Sequence, residues 1–115
     1  MSIAIKRIYD TPESGDGTRV LVDRLWPRGI AKDKAKIDLW LKDVAPSNAL
    51  RKWFGHDPEK WPEFQRRYQK ELNDNTAFAE LKTLCGQRKV TLLYAAKDQQ
   101  HNNAVALHAL LSLAT

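Results

Sequence analysis

The chain has 115 residues, 43% hydrophobic and 29% charged, with five glycines and five prolines, which describes one folded domain and excludes a two-domain, collagenous, low-complexity or disordered chain. Nineteen Lys and Arg against fourteen Asp and Glu leave a net charge of +5, and that excess favours anionic partners. Cys85 is the only cysteine, which excludes an intramolecular disulfide and a thiolate metal cage, and no apolar run makes a signal peptide or a membrane span, so the expected setting is the reducing cytoplasm with no membrane partner.

Ile3 to Tyr9 is rich in β-formers and ends at a cluster of turn residues, Asp10 to Gly17, which predicts a first strand. Ser14 to Thr18 reads as a flexible turn. It lacks the Gly-Lys-Ser/Thr ending of a P-loop and the glycine pattern of a dinucleotide fold. Val20, Leu21 and Val22 in succession predict a second strand over Thr18 to Leu25, covered on both faces and stopped by Pro27 and Gly29. Ile37, Leu39 and Leu41 alternate with Asp38, Trp40 and Lys42, a period of two that predicts a third strand, with an amphipathic helix as the alternative.

Ser47 can cap a short helix carrying Leu50, Trp53 and Phe54, and Gly55 stops it. Trp61, Phe64, Tyr68 and Leu72 share one helical face, which predicts a helix to about Asn73 with Pro62 tolerated in its first turn. Asn75 or Thr76 can cap a third helix lined by Phe78, Leu81, Leu84 and Cys85, with Gly86 as its stop. Val90 to Ala96 is a continuous apolar run and predicts a central strand buried on both sides. From Asn102 or Asn103, the residues Ala104, Leu107, Leu110, Leu111 and Ala114 build a last helix. The order indicates an α/β fold: a single small sandwich with a mixed, about four-stranded sheet flanked by helices, and room for one shallow site.

In open α/β sheets ligands bind beyond the carboxyl ends of the strands. Two such ends are polar here, Asp23-Arg-Leu-Trp-Pro-Arg-Gly29 and Tyr94 to Asn103. With these strands parallel and adjacent, Arg24, Arg28 and Lys97 supply positive charge and the first amides of the last helix add donors. Trp26 or Tyr94 offers a stacking wall and Asn102 an amide, while Asp23, Asp98 and His101 are the candidates for proton transfer. A structural explanation competes at each position. Asp23 and Arg24 can pair elsewhere, Trp26-Pro27 can plug the sheet end, Asn102-Asn103 can cap the helix, and His101 can cap or face solvent. His56, His101 and His108 show no metal-ligand spacing, so no metal is expected, and no motif asks for a cofactor. Cys85 sits on an apolar helix face without an activating base, which favours inert burial.

Asp23-Arg-Leu-Trp-Pro-Arg-Gly29, Leu39-Trp-Leu-Lys-Asp-Val-Ala-Pro-Ser47, Tyr68-Gln-Lys-Glu-Leu72 and Leu93-Tyr-Ala-Ala-Lys-Asp98 followed by His101-Asn102 together resemble the YeaO-like family of uncharacterised bacterial proteins, over nearly the whole chain. Of the candidate site residues, Asp23, Arg24, Trp26, Arg28, Tyr94, Lys97, Asp98 and Asn102 fall on matching positions. The resemblance implies no particular reaction, cofactor or partner. Two readings therefore follow from the residues. One is a protein that binds an anionic small molecule, phosphate- or carboxylate-bearing, with nucleotide-like molecules among the options, at the strand ends, with turnover left open. The alternative is a nucleic-acid-binding accessory protein using the basic pairs Lys6-Arg7, Arg51-Lys52, Arg66-Arg67 and Arg88-Lys89. Oligomeric state stays open in both.

Overall fold

The computed structural model describes residues 3–113. Strands β1 (Ile3–Arg7), β2 (Thr18–Leu21), β3 (Leu39–Trp40) and β4 (Val90–Tyr94) form one sheet in the order β1-β4-β2-β3. The α/β class and the four strands agree with the sequence reading, but every pairing is parallel rather than mixed. None of the connections is a tight hairpin that would reverse the chain. Each recrosses the sheet through a helix or helical turn before the next strand begins, which is the connection parallel strands require.

Side-chain alternation sorts the strands between two apolar clusters. Val20, Val22, Val90, Leu92 and Tyr94 pack against α2 (Asn48–Phe54), α3 (Trp61–Leu72), α4 (Thr76–Gln87) and α5 (Asn103–Leu113). Leu21 and Leu93 point the other way and meet Ile8, Ala35, Trp26, Ile30, Ile37 and Trp40. A short helix, α1 (Lys32–Ala35), helps cover that second face. Its four residues carry no apolar period, so pattern alone does not reveal it. The third strand shrinks to two residues for a related reason: Ile37 turns into the second cluster and leaves Leu39 39% exposed at the sheet edge.

The caps fall close to where the sequence places them. Ser47 Oγ accepts the Leu50 amide at 3.1 Å, and Glu71 fixes Ser47 by accepting its amide at 2.9 Å and its hydroxyl at 2.6 Å. Gly55 closes α2 in the left-handed region at φ 54°. Asn75 caps α4, which runs through Gly86 to Gln87 instead of stopping at it. Asn102 Oδ1 accepts the Val105 amide at 2.9 Å and opens α5; Ala114 lies outside the described residues.

Ser14 to Thr18 is held in place, contrary to the flexible turn expected. Asp16 is buried and accepts from Arg19 Nη1 at 2.5 Å, from the Glu13 amide at 3.0 Å and from Lys6 Nζ at 3.2 Å. Gly17 follows at φ 69°, and a Cβ there would lie 2.6 Å from the Lys89 carbonyl oxygen, so only glycine fits without displacing backbone. Among the described residues no helix is long and apolar enough to cross a membrane.

Candidate functional site

β2 and β4 are parallel neighbours, so their carboxyl ends emerge side by side. The ladder continues for one bond past β2, from the Val22 amide to the Leu93 carbonyl at 3.1 Å, and the chains then part. Asp23 bridges the gap by accepting the Ala95 amide at 2.8 Å. Asn103, at the start of α5, donates to the Val22 carbonyl at 2.9 Å. A cleft of about 540 Å³ opens at this point, within the size range of small-molecule sites.

The 23–28 loop contributes Asp23, Arg24, Trp26, Pro27 and Arg28 to its lining, and the start of α5 contributes His101, Asn102 and Asn103. Helix α2 closes it with Arg51, Lys52 and Phe54, the turn after α2 with His56, and α3 with Phe64. Its charge is lopsided, with Arg24, Arg28, Arg51 and Lys52 facing the single carboxylate of Asp23. Burial raises the Asp23 carboxyl above the ordinary aspartate range, against the opposing pull of the Ala95 amide, Asn103 and Arg51.

Asp23 and Arg24 do not pair with each other. Arg24 reaches the β3–α2 loop and donates through Nη2 to the carbonyls of Ala45 at 3.2 Å and Pro46 at 3.5 Å. Its Nε is buried and has no hydrogen-bond partner among the described residues. The guanidinium is therefore oriented by backbone while one donor stays unspent, an unusual state for a buried N–H. Arg28, Arg51 and Lys52 are exposed. The one bond at Arg28 goes to its backbone carbonyl, from the Tyr9 hydroxyl at 3.1 Å.

His101 is half-buried, with its ring against the edge of Trp61 at a centroid distance of 5.4 Å. Its Nδ1 lies 2.9 Å from Asp98 Oδ2. The amides of Gln100 and His101 donate to the other Asp98 oxygen at 2.9 and 3.1 Å. The Gln100 bond, with help from His101, holds the Asp98 carboxyl below the ordinary range. An ionised carboxylate only accepts, so Nδ1 carries the proton and Nε2 is left for a ligand. Asp98 thus orients His101 and does not itself line the cleft.

The remaining candidates are placed differently. Lys97 is exposed and outside the cleft lining, and Tyr94 is buried in the main core. Asn102 borders the cleft, but its amide is engaged by the α5 cap and by the Asp98 carbonyl at 2.9 Å. Trp26 borders it too, yet its indole N–H goes to the Ile30 carbonyl at 2.8 Å and its ring meets Trp40 edge-on at 5.4 Å, so it plugs the sheet end. The side chains that sequence reasoning missed are Arg51, Lys52, Phe54, His56 and Phe64. The doublet Arg51-Lys52 was visible, but only helix packing brings it to the strand ends.

Lys6 is tied to Glu13 and Asp16, Arg7 to the Ala95 and Ala96 carbonyls, and both Arg66 and Arg67 to Glu63. Cys85 is buried and its thiol is pushed up by that burial, which leaves it a poor nucleophile. Among the described residues no group of three His, Cys, Asp or Glu side chains gathers to hold a metal ion.

A family model described as "Inactive DUF488-N3 subclade" matches residues 2–115. The chain belongs to this family. An uncharacterised protein of Mycobacterium tuberculosis is 46% identical over 110 residues, which cover 96% of this chain and 93% of that protein. The uncharacterised protein YeaO of Escherichia coli is 41% identical over 108 residues, 93% of this chain and 94% of its own. No solved structure matches the chain. The resemblance to the YeaO-like family thus extends over almost the full length of both proteins.

Proposed function

We propose that the protein binds a small anionic molecule, phosphate- or carboxylate-bearing, in the cleft at the carboxyl ends of β2 and β4, within the cytoplasm. The observation that carries this reading is the convergence of Arg24, Arg28, Arg51 and Lys52 on one cleft that holds a single carboxylate. Arg24 is oriented by the Ala45 and Pro46 carbonyls and adds a fixed positive charge to the cleft wall. Arg28, Arg51 and Lys52 then close on the ligand from the exposed side, each charge-assisted bond contributing about 1.5–3 kcal/mol before the cost of ordering the side chain. His101, held by Asp98, adds a further donor or a proton acceptor. The family description names an inactive subclade, which favours binding over turnover.

Nucleic acid is the weaker alternative. Lys6, Arg7, Arg66 and Arg67 are engaged by protein acceptors, so less free positive charge remains outside the cleft than the sequence suggests. The test is a thermal-shift series with inorganic phosphate, pyrophosphate and citrate, because ligands that bind the native state raise Tm by mass action. A rise that disappears in the Arg28→Ala/Arg51→Ala double variant is expected. No rise with any of the three at millimolar concentration would overturn the reading.

A further inference from the structure

The cleft carries charge of both signs. Asp23 stands where β2 and β4 part, and its one hydrogen bond among the described residues comes from the Ala95 amide to Oδ2 at 2.8 Å. A carboxylate offers about four acceptor positions, so most of them stay open to a guest. Arg24, Arg28, Arg51 and Lys52 line the same cleft, yet among the described residues none of them forms an ion pair with Asp23. Burial raises the Asp23 carboxyl, and Arg51 is near enough to pull it back without pairing. The result is a partly desolvated carboxylate with no cation bonded to it. A bare anion leaves that charge unpaired and adds repulsion, whereas an ammonium supplies the missing partner.

We infer that the cleft takes an amino acid whose side chain ends in a second anionic group, with its ammonium on Asp23, its α-carboxylate on Arg51 and its distal carboxylate or phosphate on Arg28. This rests on the anion-binding reading of the same cleft and adds that the ligand is a zwitterion. The amino-acid head follows from Asp23 and Arg51. Opposite charges that influence each other across one cleft without pairing suit an ammonium and a carboxylate carried on a single carbon. The second anion follows from the charges left over. With Asp23 and Arg51 both matched, Arg28 on the loop after β2 and Lys52 on α2 still line the cleft, exposed and with no ion pair among the described residues. An amino acid with an uncharged side chain leaves both unmatched, and an acidic one does not.

The experiment is isothermal titration calorimetry of the full chain with two matched pairs, phosphoserine against phosphoglycerate and aspartate against malate, repeated with Asp23→Asn. Within each pair only the ammonium changes, to a hydroxyl. Asparagine keeps an acceptor for the Ala95 amide and loses the charge that holds an ammonium. In the pair that binds more tightly, which fixes the distal group as phosphate or carboxylate, the ammonium member is expected to exceed its hydroxyl partner by at least about tenfold. Asp23→Asn is expected to erase that advantage without weakening the hydroxyl partner. Should Asp23→Asn fail to fold, the Asp23 carboxyl carbon of the unmodified protein is expected to move further in carbon NMR with the ammonium member than with the hydroxyl one. Ammonium members no tighter than their partners, an advantage that survives Asp23→Asn, equal movement of the Asp23 carbon, or failure of all four ligands while pyrophosphate binds would each overturn the inference and leave the anion site standing. Failure of all four together with phosphate, pyrophosphate and citrate would overturn both.

Discussion

Asp23 Oδ2 accepts the Ala95 amide at 2.8 Å across 72 positions of sequence, at the point where β2 and β4 stop pairing. The side chain takes the place of the next ladder bond and gives the cleft a fixed inner wall. Asp23→Ala leaves a partly buried amide without an acceptor, so a loss of about 1–3 kcal/mol is expected in urea denaturation. Asp23→Asn retains an acceptor and should lose less than half of that.

The same carboxyl has a direction in pH. Burial raises its value in the fold above the 3.8 of an ordinary aspartate, so the native state holds its proton more tightly than the unfolded chain. The stability it contributes is complete below 3.8 and is lost as pH rises through the folded value. Glu63 acts in the opposite sense. Bonds from Arg66 and Arg67 lower it from 4.5 to about 2, so its contribution is present above 4.5 and is lost as pH falls toward 2. Urea midpoints measured between pH 2 and 7 should show Glu63→Gln differing from the unmodified protein above pH 4.5 and converging with it near pH 2. The difference between Asp23→Asn and the unmodified protein should shift in the variant's favour as pH rises.

Tyr68 is fully buried and donates its hydroxyl to the Val44 carbonyl, behind the loop that Arg24 also grips. Burial, reinforced by Glu71 and Asp23, holds the phenol protonated well above its usual range. Tyr68→Phe preserves the packing and removes one buried bond, so a loss of about 1–2 kcal/mol is expected by denaturation. Ligand affinity should be unchanged within about twofold, since Tyr68 is not part of the cleft lining.

Much of this was legible in the sequence because the signals were local. Val90 to Tyr94 could be read as a central strand from its unbroken apolar run, and all five of its residues are buried. Ser47, Asn75 and Asn102 announced helix starts, since a capping side chain acts within three residues of its own position. The direction of the edge strand β3 was not legible, because Ile37 to Lys42 alternates as an antiparallel strand would, although it pairs parallel with β2. The cleft was half visible. Asp23, Arg24 and Arg28 follow their strand directly, whereas Arg51, Lys52 and Phe64 reach it only when α2 and α3 pack on the sheet. Tyr94 and Lys97 lay on the right segment, but the core claimed one and solvent the other.

Pyrophosphate binding should distinguish local charge from total charge. Arg28→Ala/Arg51→Ala and Arg66→Ala/Arg67→Ala each remove two positive charges, the first pair from the cleft and the second from the Glu63 clamp on α3. Calorimetry at 0.15 M salt, where distant charges are largely screened, is expected to show the first variant weakened by at least about tenfold and the second unchanged within about twofold. Equal weakening of the two, or none in the first, would contradict a binding site at the carboxyl ends of β2 and β4.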